Sequence, residues 1–203
     1  VRFAILLAVV LASVAIVAMA AAIPDADPKL GGALRQGGLV LVLRHAATDF
    51  SKPDQDPVDL SDCRTQRNLS AQGRADARAI GRGVRRLKLR IGIVLSSPFC
   101  RTKETARIAF GRATVSQALL NTVTAVHDAS WRSQIRAARR LLGTKPPPGR
   151  VTVLVTHGSV VGDMTGLTLE EGEALVFRPR GDSRFRLVGR LLPVEWKTLR
   201  ASQ

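Results

Sequence analysis

The sequence predicts a three-layer α/β/α fold with a mostly parallel central sheet, and three apolar runs carry that prediction. They are Leu39–Leu43, Ile91–Leu95 and Val151–Val155, each short, β-branched-rich and followed by an abrupt switch to polar residues. Helical patterns lie between them, giving the order β-α-β-α-β-α-β-β-β and hence a sheet built by crossovers. Each run also delivers a cationic or ionisable group. Arg44 and His45 follow the first, Arg101 lies just beyond the second, and His157 follows the third. Ligands of open α/β sheets bind outside the carboxyl ends of the strands. Two arginines and two histidines brought to that edge form a cationic pocket suited to phosphate.

Taken in order, residues 24–37 read as a linker with a short helix around Lys29–Gln36, and the domain proper as 38–203. Strand one covers Gly38–Leu43. The polar loop Thr48–Arg67 is too long for a simple turn, and loops of that size in compact domains are usually functional. Ser70 caps a helix over Ala71–Leu87, with Ala75, Ala79, Ile80, Val84 and Leu87 near one face. After the second strand, Ser97-Pro98 reads as an N-cap and first helical residue, opening a helix over Pro98–Phe110. Ala113–Gln117 is an edge-like strand. Ala129–Leu142 is helical, stopped by Gly143 and the stiff Lys145–Gly149 spacer. A short helix follows His157. Two late strands, Glu173–Phe177 and Arg184–Leu192, are joined by the turn-forming Arg178–Asp182.

At 203 residues and 45% hydrophobic content the chain can bury one proper core, and there is no internal repeat. Its net charge of +15 favours anionic ligands, although a solvated basic surface accounts for most of the excess. Aromatics are only 4%, with no Tyr, a poor supply of stacking platforms for single-stranded nucleic acid. Arg2, the uncharged run from Phe3 to Ile23 and the small residues at Ala18–Ala22 make residues 1–23 a signal peptide or N-terminal anchor. About 20 apolar residues also suffice to span a bilayer, and a buried core helix is the third reading. The first two make the protein exported, periplasmic or extracellular, and the anchor reading adds membrane association through this segment. Cys63 and Cys100, the only cysteines, fall near the same sheet edge and are compatible with one disulfide or with two separate thiols. Without CxxC spacing they make no case for zinc.

Chemically, two guanidinium forks hold dispersed phosphoryl charge through short, directional hydrogen bonds. The start of the helix carrying Arg101 adds backbone donors and a positive dipole end. A histidine beside them can attack phosphorus if one ring nitrogen is unprotonated and the other is held by a backbone carbonyl.

Leu43-Arg44-His45-Ala46 resembles the RHG signature of the histidine phosphatase superfamily, also called phosphoglycerate-mutase-like. Ser96-Ser97-Pro98-Phe99-Cys100-Arg101 through Ala106 is similar to its second-arginine motif, Val155-Thr156-His157-Gly158 to its second-histidine motif, and Asn68-Leu69-Ser70 through Gly73 to its connecting segment. The resemblance runs from about Gly38 to Pro193. It implies a phosphohistidine at His45, with Arg44, Arg101, His157 and Gly158 binding the phosphate, and catalysis without a metal or other cofactor. Ala46 stands where Gly is commonest. Ala46-Ala47-Thr48 also lacks the Gly-Glu-Thr continuation of the mutases, which turns the expectation towards a hydrolase.

The proton donor to the leaving oxygen is open. In the mutase-like branch it is a carboxylate after the second-arginine helix, and Asp128 is the only acidic residue between Gly111 and Trp131. Its other reading is a helix cap. Asp49, close to His45, is the alternative, and a site without a dedicated acid is the third. The expected function is therefore a phosphatase acting on a small phosphorylated substrate, a phosphomonoester, through phospho-His45. The alternatives are a protein phosphohistidine phosphatase, an envelope glycan phosphatase, or a catalytically silent anion-binding module.

Overall fold

The computed structural model describes residues 28–123 and 128–201; the leader 1–23 and the start of the linker lie outside them. Six strands form one sheet in the order β3-β2-β4-β1-β5-β6. They are β1 (Leu39–Arg44), β2 (Ile91–Ser96), β3 (Thr114–Val115), β4 (Val151–Thr156), β5 (Ala174–Gly181) and β6 (Arg184–Leu191). The first four run parallel, and β5 pairs antiparallel with β1 and with β6. Among the described residues five α-helices cover it: α1 (Pro28–Gln36), α2 (Ala71–Arg86), α3 (Cys100–Phe110), α4 (Ala129–Gly143) and α5 (Gly158–Thr165).

Side chains of a strand alternate between faces, so β1 feeds two cores. Leu39, Leu41 and Leu43 pack with α1, α2 and α3, while Val40 and Val42 pack with α4 and α5. Both faces are covered, which is why β1 and β4 are apolar almost throughout. Each fully buried Leu or Val contributes about 1.5–3 kcal/mol. Trp196 closes the first core from the C-terminal end, with Arg86 donating to its carbonyl oxygen.

Two local expectations are corrected. The second-arginine helix opens at Cys100 instead of Pro98, and its N-cap is Phe99, which makes no side-chain cap bond. Phe99 stays extended at φ −61° and ψ 143°. Its ring is thereby placed 5.0 Å from the His157 ring and 4.2 Å beneath the Arg101 guanidinium. In addition, Arg178–Gly181 belongs to β5 and is not a turn. The reversal falls on Asp182 and Ser183, both with positive φ (49° and 59°), the backbone shape that a tight hairpin needs.

The segment after β1 is pinned by α2. Ser70 Oγ accepts the Gly73 N–H at 3.0 Å and donates to Ala47 O at 3.2 Å. A Cβ on Gly73 would lie 1.9 Å from that same Ala47 oxygen, so only glycine permits this approach.

Candidate active site

The sheet itself brings the two histidines together. Arg44 pairs with Thr156 at the ends of β1 and β4, and the His45 N–H donates to Thr156 O at 3.0 Å. His45 and His157 therefore leave neighbouring strands side by side, with ring centroids 5.3 Å apart. Arg101 arrives from the first turn of α3, and Arg44 from the last residue of β1. All four line one cavity of about 690 Å³ beyond the strand ends, together with Gly158.

His45 is 2% exposed, and its Nδ1 lies 3.0 Å from Ala46 O. A carbonyl accepts only, so Nδ1 carries the proton and Nε2 keeps its lone pair. Among the described residues Nε2 has no hydrogen-bond partner. Burial pushes the His45 pKa down to about 3, opposed by the Ala46 bond and assisted by Arg101, Arg44 and Arg67. His157 is also held well below its ordinary value, first by burial, then by His45 and the arginines. Both imidazoles are neutral at pH 7. His157 Nε2 is anchored 2.8 Å from Ser97 Oγ.

The arginines are braced. Arg44 Nη1 donates to Leu169 O at 2.6 Å, and its Nη2 lies 3.7 Å from Glu171 Oε1. Arg101, 1% exposed, donates from Nη1 to Asp54 Oδ1 at 2.9 Å and to Arg67 O at 3.3 Å. A third guanidinium, Arg67, lines the same cavity with its plane over the Phe50 ring at 4.2 Å. The Nε atoms of Arg44, Arg67 and Arg101 are buried without a partner among the described residues. Three guanidinium groups around two neutral imidazoles constitute an oxyanion site.

Arg67 belongs to the Thr48–Arg67 loop, which is tied to α3 at the residue before Arg101. Cys63 and Cys100 are disulfide-bonded, and the Cys100 N–H donates to Gln66 Oε1 at 2.8 Å. Among the described residues no group of three His, Cys, Asp or Glu could hold a metal ion.

Neither Asp128 nor Asp49 is placed as a proton donor in the cavity, and Asp128 takes its other reading, a helix cap. Asp128 caps α4, accepting the Trp131 N–H at 2.9 Å, and does not line the cavity. Asp49 accepts the Ser51 N–H and O–H at 3.0 and 2.6 Å and does not line it either. Glu171 lies 3.8 Å from His45 Nδ1, with its carboxylate taken by the Thr48 N–H and O–H at 3.0 and 2.7 Å. Arg67, Ser97 and Asp54 are site residues that sequence reasoning did not single out. The signals available for them were position alone: Arg67 just before the Asn68–Gly73 segment, and Ser97 at the exit of β2.

A family model for the histidine phosphatase superfamily, branch 1, matches residues 40–127. No curated protein matches the chain. Among solved structures, the protein histidine phosphatase SixA complexed with tungstate has a TM-score of 0.52 at 18% identity, covering 77% of this chain and 97% of its own. The native mycobacterial glucosyl-3-phosphoglycerate phosphatase has 0.54 at 18%, covering 75% and 98%. A mutant phosphoserine phosphatase from Entamoeba histolytica, in complex with phosphoserine, has 0.52 at 14%, covering 77% and 98%. Residues 40–127 thus match the histidine phosphatase superfamily, and the chain shares the fold of these solved phosphatases.

Proposed function

We propose that the protein is a phosphatase that hydrolyses a small phosphomonoester through a phosphohistidine on His45, without a resident metal. The observation that carries this reading is the His45 tautomer. Nδ1–H is committed to Ala46 O at 3.0 Å, and Nε2 opens on a cavity walled by Arg44, Arg67 and Arg101. A phosphoryl group seated there has its peripheral oxygens on guanidinium donors, the role a metal plays in other phosphoryl-transfer sites. Nε2 attacks phosphorus, the bond to the leaving oxygen breaks, and the Nδ1–H bond to Ala46 stabilises the imidazolium that forms. Water then attacks phosphorus and returns His45 to its starting state. His157, neutral and fixed by Ser97, serves as a further hydrogen-bonding wall.

The relatives' names favour phosphomonoesters: two of the three structures above are a phosphoserine phosphatase and a glucosyl-3-phosphoglycerate phosphatase. A catalytically silent binding module has no use for a nucleophile with a locked tautomer. We also place the protein outside the cytoplasm, because residues 1–23 have the pattern of a signal peptide and disulfides such as Cys63–Cys100 persist in oxidising compartments.

The test is hydrolysis of an aryl phosphate in excess chelator, with an alkaline denaturing quench of protein incubated with the ³²P-labelled ester. Turnover and an acid-labile, base-stable phosphoprotein, both lost in His45→Ala, are expected. Turnover retained in that variant would refute the mechanism. Sequencing the mature N-terminus after expression tests the export reading.

A further inference from the structure

Transfer of phosphoryl from an alcohol to His45 leaves an alkoxide, which departs slowly at neutral pH unless a proton reaches it during transfer. A carboxyl group at the leaving oxygen supplies that proton. The carboxylates of Asp49, Asp128 and Glu171 are committed to Ser51, Trp131 and Thr48, and none of the three lines the cavity. Glu170 lines it, but the residue is exposed and no described hydrogen bond aims its carboxylate.

Asp54 differs from all of these. It lines the cavity, and its Oδ1 is fixed by the Arg67 N–H at 2.7 Å and Arg101 Nη1 at 2.9 Å. Its Oδ2 has no partner among the described residues, and the side chain is 30% exposed. Two anchors on one oxygen hold the other in a set direction within the phosphate cavity. The loop that carries Asp54 is itself locked to α3 by the Cys63–Cys100 bond.

Resting on the phosphatase reading, we propose that Asp54 is the acid and base of the reaction, acting through Oδ2. A phosphomonoester entering as its monoanion brings the proton that Asp54 takes up. In the first step the His45 Nε2–P bond forms, the P–O bond breaks, and the Asp54 proton goes to the leaving oxygen, giving alcohol, phospho-His45 and the Asp54 carboxylate. In the second step water attacks phosphorus, its proton passes to Asp54, and the N–P bond breaks to release phosphate and neutral His45. Asp54 then gives that proton up to solvent. Atoms and charge balance over the two steps with water as the sole co-reactant.

The test uses Asp54→Asn, which keeps an oxygen to accept the Arg67 and Arg101 bonds and removes the ionisable carboxyl. The kcat/KM for an alkyl phosphate is expected to fall about 100-fold, and that for a p-nitrophenyl ester less than threefold. A pre-steady-state burst of nitrophenolate is expected from the variant, because hydrolysis of phospho-His45 has lost its base. Equal losses on both esters, or no loss on either, overturn the assignment. In the wild type, kcat/KM across aryl and alkyl esters is expected to depend only weakly on leaving-group pKa; a steep dependence overturns the assignment whatever the variant does. Wild-type protein that cleaves neither ester overturns the phosphatase reading together with it.

Discussion

Ser97 Oγ lies 2.8 Å from Nε2 of His157, and both side chains are buried at the junction of β2 and β4. The serine thus orients an imidazole that has no charge to orient it. Ser97→Ala leaves a buried ring nitrogen unpaired, at a cost of about 1–3 kcal/mol. A drop in kcat/KM of about tenfold on an aryl phosphate is expected, since one misdirected wall bond is worth about 1.4 kcal/mol. Steady-state kinetics and a denaturant melt check both effects.

Arg67 carries a guanidinium into the cavity without a carboxylate partner on its side chain among the described residues. Its charge is therefore available to an incoming anion. Arg67→Met is expected to weaken competitive inhibition by tungstate or inorganic phosphate about 10- to 100-fold, the equivalent of a charge-assisted bond of about 1.5–3 kcal/mol. Inhibition constants at fixed ionic strength measure it. A constant unchanged by the substitution would remove Arg67 from the anion site.

The Cys63–Cys100 bond closes 37 residues between the site loop and α3. Chain-entropy arguments give such a closure about 4 kcal/mol. Cys63 is exposed, so a thiol reductant can reach the bond. Reduction, or the double change to alanine, is expected to lower the melting temperature and raise KM, because Asp54 and Arg67 lose their tether. Thermal melts and kinetics with and without reductant test this.

His45 and His157 set the response to acid. The unfolded chain takes up a proton on each imidazole below about pH 6.5, whereas in the folded protein burial keeps His45 neutral down to about 3 and His157 neutral well below 6.5. The contribution is complete above pH 6.5 and is lost as the pH falls below it. The slope is about 1.4 kcal/mol per pH unit for each imidazole. Between pH 6.5 and 5 the unfolding free energy is expected to fall, with a smaller slope in His157→Asn. Urea titrations at stepped pH values supply the measurement.

What could be read directly from the sequence was whatever local pattern decides. β1 and β4 are buried on both faces and so appear as unbroken apolar runs, and the residues that follow them must emerge at one edge. Arg44, His45 and His157 were legible for that reason. Contacts made by closure of the long loop were not. The stretch from Asp49 to Asp62 contains five aspartates with no periodicity. Only the path imposed by the Cys63–Cys100 bond and the Arg67 N–H selects Asp54 among them. Ser97 carries the sequence mark of a helix cap, yet the ring of Phe99 needs an extended backbone between His157 and Arg101, and that delays the helix. Asp128 followed its local preference and capped α4.

The Gly73–Ala47 contact has an evolutionary corollary. The backbone two residues beyond His45 rests against a position whose only qualification is the missing methyl, so even alanine at 73 would lever His45 out of line. Ala71 and Gln72 beside it are exposed and can drift freely. A mutational scan of this helix start should therefore show an intolerant position 73 directly after permissive positions 71 and 72, a pattern that no inventory of charged groups would disclose.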